Sequence, residues 1–541
     1  MSRKTLRNGR VFAVVAIQLS ALGCSSYSGE AADAAVDAAS DASGGPLDGT
    51  VNDATADAKA PQPDGAPDAK PDVNILDGGK DADATAPDAP IDGPLDSPIE
   101  AAPPDTGGDA TPEAAVADTG SDAPVVVNIP QLAYKGVELI SVSTAGAQAN
   151  ADCDSVRASD DKRFIGFFST ASNLVVGDTN ALSDVFIRDR GLSTTKLVSV
   201  GLGGNPANGA SHGGYVAASG SHVGFVSGAF NLVTGDNNAK DDIFVYDVGS
   251  GAVERVSVAT GGAEANGSSD AAIVSDDGRF VAFESDATNL VTGDTNAVTD
   301  VFLRDRVQNT TIRVSVGAGG AQGNALSRRP HLSGDGRFVV YESDATNLVA
   351  SDTNSVRDIF LYTVSSQVTV RLSETSSAVQ GNALSDRAVM SSTGLYGVFR
   401  SASSNLVTGD TNNLIDLFRV GNSTPRELLR LASVQTSFGL ARASISTNGN
   451  IVAAESLDTF GKSIDQNNAS DIFVWDLSTI PAAAPNLISC TSSGSAANGA
   501  SIGPFLTSDG SHILYRSSAT NLNGITDTNG FADVFLSRVL P

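Results

Sequence analysis

From residue 137 onward, apolar residues come in short runs separated by Gly, Asp, Asn and Ser, and the arrangement repeats. One complete unit reads "AAIVS" (271–275), the turn Asp276-Asp277-Gly278, "RFVAFES" (279–285), a long polar loop, "DVFLRD" (300–305), a second polar turn and "TIRVSV" (311–316). Runs rich in β-branched and aromatic residues and bounded by turn formers predict strands. Alternation of Phe280, Ala282 and Glu284 against Val281, Phe283 and Ser285 is weak, as expected of strands covered on both faces by neighbouring sheets.

The long loop carries an Asp, Asn, Asp triplet at i, i+2, i+6. It occurs seven times: Asp178/Asn180/Asp184, Asp236/Asn238/Asp242, Asp294/Asn296/Asp300, Asp352/Asn354/Asp358, Asp410/Asn412/Asp416, Asp465/Asn467/Asp471 and Asp527/Asn529/Asp533. Four strands in each of seven units predict an all-β, seven-bladed propeller of antiparallel blades. The last unit stops after "DVFLSRVLP" without a fourth strand, while "VELISVS" (137–143) is a fourth-strand segment with no unit of its own. Pairing the two closes the ring and removes exposed strand edges.

In this topology two long loops per blade emerge on one face. One brings the triplet and a preceding Asn (Asn173, Asn231, Asn289, Asn347, Asn405, Asn521), the other a recurrent Asn (Asn150, Asn208, Asn266, Asn324, Asn382, Asn498). The triplets, with Asp178, Asn180, Asp184, Asp294, Asn296, Asp300, Asp352, Asn354 and Asp358 as representatives, offer oxygens to calcium, which takes six to eight of them. Against a cation stand Lys240 inside one loop and aliphatic residues such as Leu182, Val298 and Val356 at the fifth position. The competing expectation is structural. Asx turns would cap the loops, and the final Asp would fix the start of the third strand.

Candidate recognition residues are those that do not repeat. Four places beyond the recurrent Asn, where the chain enters the innermost strand at the channel mouth, stand Asp154, His212, Asp270, Arg328, Asp386, Arg442 and Ile502, with Arg329 and Arg387 one place further. A ring of mixed charge offers directional complementarity to a polar ligand or peptide, or else pairs with itself around a wet funnel. Paired carboxylates at the same mouth would serve a glycosidase-like hydrolase. The four histidines (His212, His222, His331, His512) are scattered, and neither G-x-S-x-G nor H-E-x-x-H is found, so the chain is expected not to be an enzyme.

"SDDGRFVAFES" followed by "DVFLRD", with "SGDGRFVVYES" and "DIFLY" in the next unit, resembles the TolB-like, WD40-like propeller repeat of bacterial exported proteins. The resemblance covers residues 137–541 and implies a partner-binding scaffold. Peptidase propellers carry the same repeat beside a separate catalytic domain, which is not expected here.

The N-terminus adds a location. Arg3, Lys4, Arg7 and Arg10 precede an apolar run from Val11 to Gly23, too short for a membrane span, and then Cys24. The junction resembles a bacterial lipoprotein signal, which implies lipidation of Cys24 and, with Ser25 following, an outer-membrane or cell-surface position. Residues 24–124 contain 22 acidic and 3 basic residues among Ala, Pro and Gly. Such a segment buries too little apolar surface to offset its ordering entropy and serves as a tether. Most of the net charge of −28 thus sits in the linker, and no basic cluster suits nucleic acid. Cys153 and Cys490 fall in different blades, one in a loop and one in an outer strand, and are expected to be unbridged. The expected organisation is a signal peptide (1–23), a disordered acidic linker (24–130) and the propeller (131–541). The expected role is a monomeric, lipid-anchored envelope module binding a protein or polysaccharide, without cofactor unless calcium. A mouth hydrolase or a calcium-stabilised surface binding protein is the alternative.

Overall fold

Strand pairing follows the repeat. The computed structural model describes residues 136–423, 426–432, 440–478 and 484–539; the expected signal peptide, Cys24 and the acidic linker lie outside them. Seven four-stranded antiparallel sheets succeed one another along the chain. The first strands of neighbouring blades touch all the way round, which makes them innermost and the ring closed. Blades 1 to 7 begin with Cys153–Ala158, Ser211–Val216, Ser269–Val274, Ser327–Leu332, Ser385–Met390, Leu440–Ile445 and Ser501–Leu506.

Blade 3 comprises Ser269–Val274, Phe280–Ser285, Asp300–Asp305 and Thr310–Arg313. Its first strand starts two residues before the expected 271. Asp270 pairs with Glu284 and Ile273 with Ala282, so a bulge interrupts the ladder between them. The outermost strand ends at Arg313 instead of 316, because the Val314 amide turns to donate to the Val301 carbonyl and Val316 forms an isolated bridge with Gln322. The turn at Ser275 works as its residues suggest. Asp277 Oδ1 accepts from Ser275 Oγ at 2.7 Å and from the Arg279 amide at 2.9 Å, and Gly278 takes φ +77°. A Cβ there would also meet His222 Nδ1 of blade 2 at 2.2 Å.

The core lies between blades. In six of the seven, facing aromatics on the second and third strands stack, as in Phe283–Phe302 at 5.7 Å and Tyr515–Phe535 at 6.1 Å. Such pairs contribute roughly 0.5–1.5 kcal/mol beyond area burial. Blade 6 has Ala454 on the second strand instead, and Phe460 fills the space edge-on against Phe473 (4.9 Å) and Trp475 (5.4 Å). That accounts for Phe460 standing in blade 6 where the second-to-third-strand loops of the other six blades carry Asn.

Closure is as the sequence predicts. Val137, Glu138 and Leu139 pair with Ser537, Leu536 and Phe535 of blade 7. Ser141 Oγ then donates to Asp533 Oδ1 at 2.5 Å, both groups buried. Cys153 and Cys490 are free. The expected loop thiol is corrected: Cys153 opens the innermost strand of blade 1 and is fully buried. Burial pushes its thiol up to about 12 and that of Cys490 up to about 11, which disfavours the nucleophilic thiolate in both. Among the described residues no helix is long and apolar enough to cross a membrane.

Candidate functional site

The bulge seen in blade 3 recurs in all seven innermost strands and shapes the mouth. A bulge bends the strand and frees one backbone amide from the ladder. The first bulge residue takes positive φ in Gly213, Ala271, Arg329 (51°), Arg387 (52°) and Gly503. In three blades its amide donates to a glutamate on the second strand of the preceding blade: Arg329 to Glu284 Oε2 (2.5 Å), Arg387 to Glu342 Oε2 (2.8 Å) and Gly503 to Glu455 Oε2 (2.5 Å). These contacts tie neighbouring blades together around the channel.

Most of the sequence-identified ring is brought together here, with one change of register. Asp154, His212, Asp270, Arg328 and Asp386 are second residues of their strands, whereas Leu440 pairs with Ser456 as Ser385 does with Ser401. Arg442 therefore takes the bulge position, in line with Arg329 and Arg387. The loop entering blade 6 lacks the usual Asn, which shifts alignment by spacing alone.

Three sub-clusters result. Glu342 is fully buried and meets Arg328 Nε at 2.9 Å, Arg329 Nη1 at 3.2 Å and Arg357 Nη1 at 3.7 Å. Beside it Arg400 grips Asp386 bidentately, its Nε at 2.7 Å from Oδ1. Burial would raise Asp386, but Arg400, then Arg387 and Arg329, outweigh it and hold the carboxyl below the ordinary range. On the opposite flank His212 Nε2 lies 3.4 Å from Asp270 Oδ1, and Arg516 reaches Asp154 at 3.6 Å. Burial and then the neighbouring Asp270 push Glu284 up to about 7.

Arg387 stands apart. Its side chain has no ion-pair partner among the described residues, and its buried Nε has no hydrogen-bond acceptor. Burial, then Arg400 and Arg329, pull it below the usual arginine range, against the opposing influence of Asp386 and Glu342. A non-glycine residue held at positive φ also costs about 1–3 kcal/mol.

Below the mouth the channel is filled. Arg157 of blade 1 lies 5.3 Å from the Tyr215 ring of blade 2 and 4.9 Å from the Phe505 ring of blade 7, with Nη1 3.4 Å from His331 Nε2 of blade 4. Burial and Arg157 hold His331 at about 3, hence neutral. At the far end the turns bond in a ring, and Ser392 of blade 5 reaches Asp276 of blade 3 at 2.6 Å across Gly334. A Cβ at Gly334 would lie 1.9 Å from Asp276 Oδ2. Arg157 thus lies across the channel below the mouth, in contact with blades 2, 4 and 7. Sequence reading missed Arg157, Glu284, Glu342, Arg400, Glu455 and Arg516. A charged residue inside an otherwise apolar strand was their available signal.

The repeated loops are largely structural. In all seven the triplet Asn accepts from the amide two residues on, as Asn180 does from Leu182 at 2.9 Å and Asn529 from Phe531 at 2.8 Å. Each final Asp is fully buried at the start of its third strand. The two rows of asparagines clamp their loops to each other: the Asn150 amide donates to Asn173 Oδ1 at 3.0 Å, and Asn173 Nδ2 to the Gln148 carbonyl at 2.8 Å.

Two candidate calcium loops need correction because protein donors already stand between the aspartates. Arg313 Nη1 is 3.3 Å from Asp294 and 3.4 Å from Asp300. In blade 4 the Gln380 amide donates to Asp352 (2.8 Å) and Asp358 (3.1 Å). Arg255 does the same in blade 2, within the cluster Asp236, Asp242 and Glu264, and Arg430 in blade 5. Among the described residues, blade 1, with Asp178 and Asp184, has no such cation.

No family model and no curated protein matches the chain. Solved structures of similar fold include an oligogalacturonate lyase from Vibrio parahaemolyticus (10% identity, TM-score 0.48, covering 75% of this chain and 97% of that one). TolB from Acinetobacter baumannii is another (13% identity, TM-score 0.33, 73% and 80%). A third is a prolyl endopeptidase (13% identity, TM-score 0.42, 70% and 47%). At such identities the likeness concerns the β-propeller fold, TolB proteins among its examples, and nothing finer. It does correct one expectation: lyases and peptidases occur among chains of this fold, so the missing motifs give no ground for setting enzymes aside.

Proposed function

We propose that the chain is an exported envelope propeller that holds a protein or polysaccharide partner at the funnel mouth through an anionic group seated against Arg387. The observation that carries this reading is the unpaired guanidinium of Arg387, set at positive φ between Arg329 and Arg400. A half-buried guanidinium that no carboxylate among the described residues touches, with Asp386 and Glu342 acting on it only from beyond ion-pair distance, gains from a ligand that supplies one. Arginines at a bulge position where blades 2, 3 and 7 carry Gly213, Ala271 and Gly503 point to a need for their side chains. Lipid anchoring through Cys24 and a spacer role for the acidic linker belong to the same reading and rest on the sequence alone.

The test is calorimetry of the full chain against carboxylated and neutral oligosaccharides, and acidic and neutral peptides, at two salt concentrations. Binding confined to anionic ligands and weakened by salt is expected. Absence of binding to every anionic ligand would refute the proposal.

A hydrolytic reading at the same mouth is favoured by one pair. Glu284, pushed up to about 7 by burial and then by the neighbouring Asp270, pairs with Asp270 across the strand ladder, and a raised carboxyl of this kind is what general acid catalysis uses. Glycan hydrolysis abolished by Glu284→Gln would support it, and inactivity of the wild type on every glycan tested would end it.

A further inference from the structure

The sevenfold repeat provides its own comparison for the triplet loops. Blades 2 to 5 carry Arg255, Arg313, Arg371 and Arg430 at one position of the outermost strand, opposite the aromatic of the third strand. Three of these guanidiniums stand within 3.6 Å of both triplet aspartates, and in blade 4 Gln380 bridges the pair. The same position in blades 1, 6 and 7 is Leu197, Leu487 and Leu139. The residue corresponding to Gln380 is Pro206 in blade 1 and Ala496 in blade 6, and in blade 7 it is Gln148, whose amide points to the Thr526 carbonyl.

Three aspartate pairs are therefore buried without a cation: Asp178 with Asp184, Asp465 with Asp471, and Asp527 with Asp533. Their exposures are 8% or less, and no cationic partner approaches any of them among the described residues. Two of the oxygens, Asp178 Oδ1 and Asp527 Oδ2, have no hydrogen-bond partner at all. Burying an unpartnered carboxylate oxygen is expensive, and in the other four blades a protein cation or an amide stands between the two carboxylates.

We propose that blades 1, 6 and 7 each bind a calcium ion between their two triplet aspartates, in the place that arginine or glutamine fills in the other four blades. The donors are all oxygen, carboxylates supplemented by loop carbonyls and water, which suits a hard cation of flexible coordination. Few charges per site place the affinity near 10⁻⁴–10⁻³ M, about that of extracellular calcium modules.

Calcium binding to the full chain is measured by equilibrium dialysis at pH 7.5, together with the melting temperature in chelator and in excess CaCl₂. The linker's 22 acidic residues attract counter-ions without a defined site, so the result is read as a difference. The triple variant Asp178→Asn, Asp465→Asn, Asp527→Asn is expected to bind three fewer ions and to lose a calcium-induced rise of several degrees. Should that variant not fold, Leu197→Arg provides the second test. It installs the arginine of blade 3 in blade 1 and should remove one ion while raising stability in chelator. Asp294→Asn, in an arginine-filled loop, should leave the stoichiometry unchanged. Equal stoichiometry in wild type and triple variant, or in wild type and Leu197→Arg, would overturn the proposal, as would coincident melting curves with and without calcium.

Discussion

Replacing Glu342 by Gln removes the charge on which the arginine side of the funnel is organised. Glu342 is fully buried, with Arg328, Arg329 and Arg357 within 3.7 Å and the Arg387 amide at 2.8 Å. Gln keeps the shape and one acceptor but presents an NH₂ group to surrounding donors. Breaking a buried ion network from one side costs about 3–5 kcal/mol, since the remaining charges stay desolvated and unpaired. With an unfolding entropy of about 2.1 cal/mol/K per residue and roughly 400 residues in the ring, the loss corresponds to a melting point lower by about 4–6 °C. The single tryptophan, Trp475, is buried in blade 6, so its fluorescence follows unfolding in urea. Glu254→Gln is the control. Glu254 pairs with Arg306 at a similar 2.8 Å, but its side chain is 43% exposed, and the pair should contribute less than about 1 kcal/mol. Equal effects of the two substitutions would refute the claim that burial, and not contact distance, makes the Glu342 network matter.

Two further outcomes follow from the packing. Ser141→Ala strips a buried hydrogen bond from Asp533 and should destabilise ring closure by about 1–3 kcal/mol in urea unfolding; a loss under about 0.5 kcal/mol would show that the closing segment is not held there. His331, kept neutral in the fold by burial and Arg157 with its value at about 3, takes a proton in the unfolded chain near pH 6.5. Its contribution is therefore complete above about pH 6.5 and is lost as pH falls, by about 2 kcal/mol at pH 5. His331→Phe should flatten the stability profile between pH 7 and pH 5 by that amount, and an unaltered profile would contradict the assignment.

The fold was legible because the repeat counts itself. Asp, Asn and Asp recur where the third strand must begin, and a spare strand at residues 137–143 matches a missing one at the end. Bulges were not legible, since a bulge adds a residue without altering composition, and this cost the true start at Ser269 and the register of Arg442. The mouth residues were found because they break symmetry. Their partners were not, because Glu342 and Arg400 sit in strands whose alternation is blurred by burial on both faces. The triplets look alike in sequence in all seven loops. What separates them is Arg or Leu on the outermost strand, 13 residues beyond the final Asp in blades 1 to 3 (Leu197, Arg255, Arg313).

The central claim is that the funnel receives an anionic group at Arg387. Its most direct test compares Arg387→Gln with Arg337→Gln in the full chain, titrated with whichever anionic ligand the wild type binds. Both variants lose one positive charge, but Arg337 is 62% exposed on the turn side of blade 4 and lies outside the funnel. The account predicts at least a tenfold loss of affinity for Arg387→Gln, the worth of about 1.4 kcal/mol, and an unchanged affinity for Arg337→Gln. Equal affinities in wild type and both variants would contradict it.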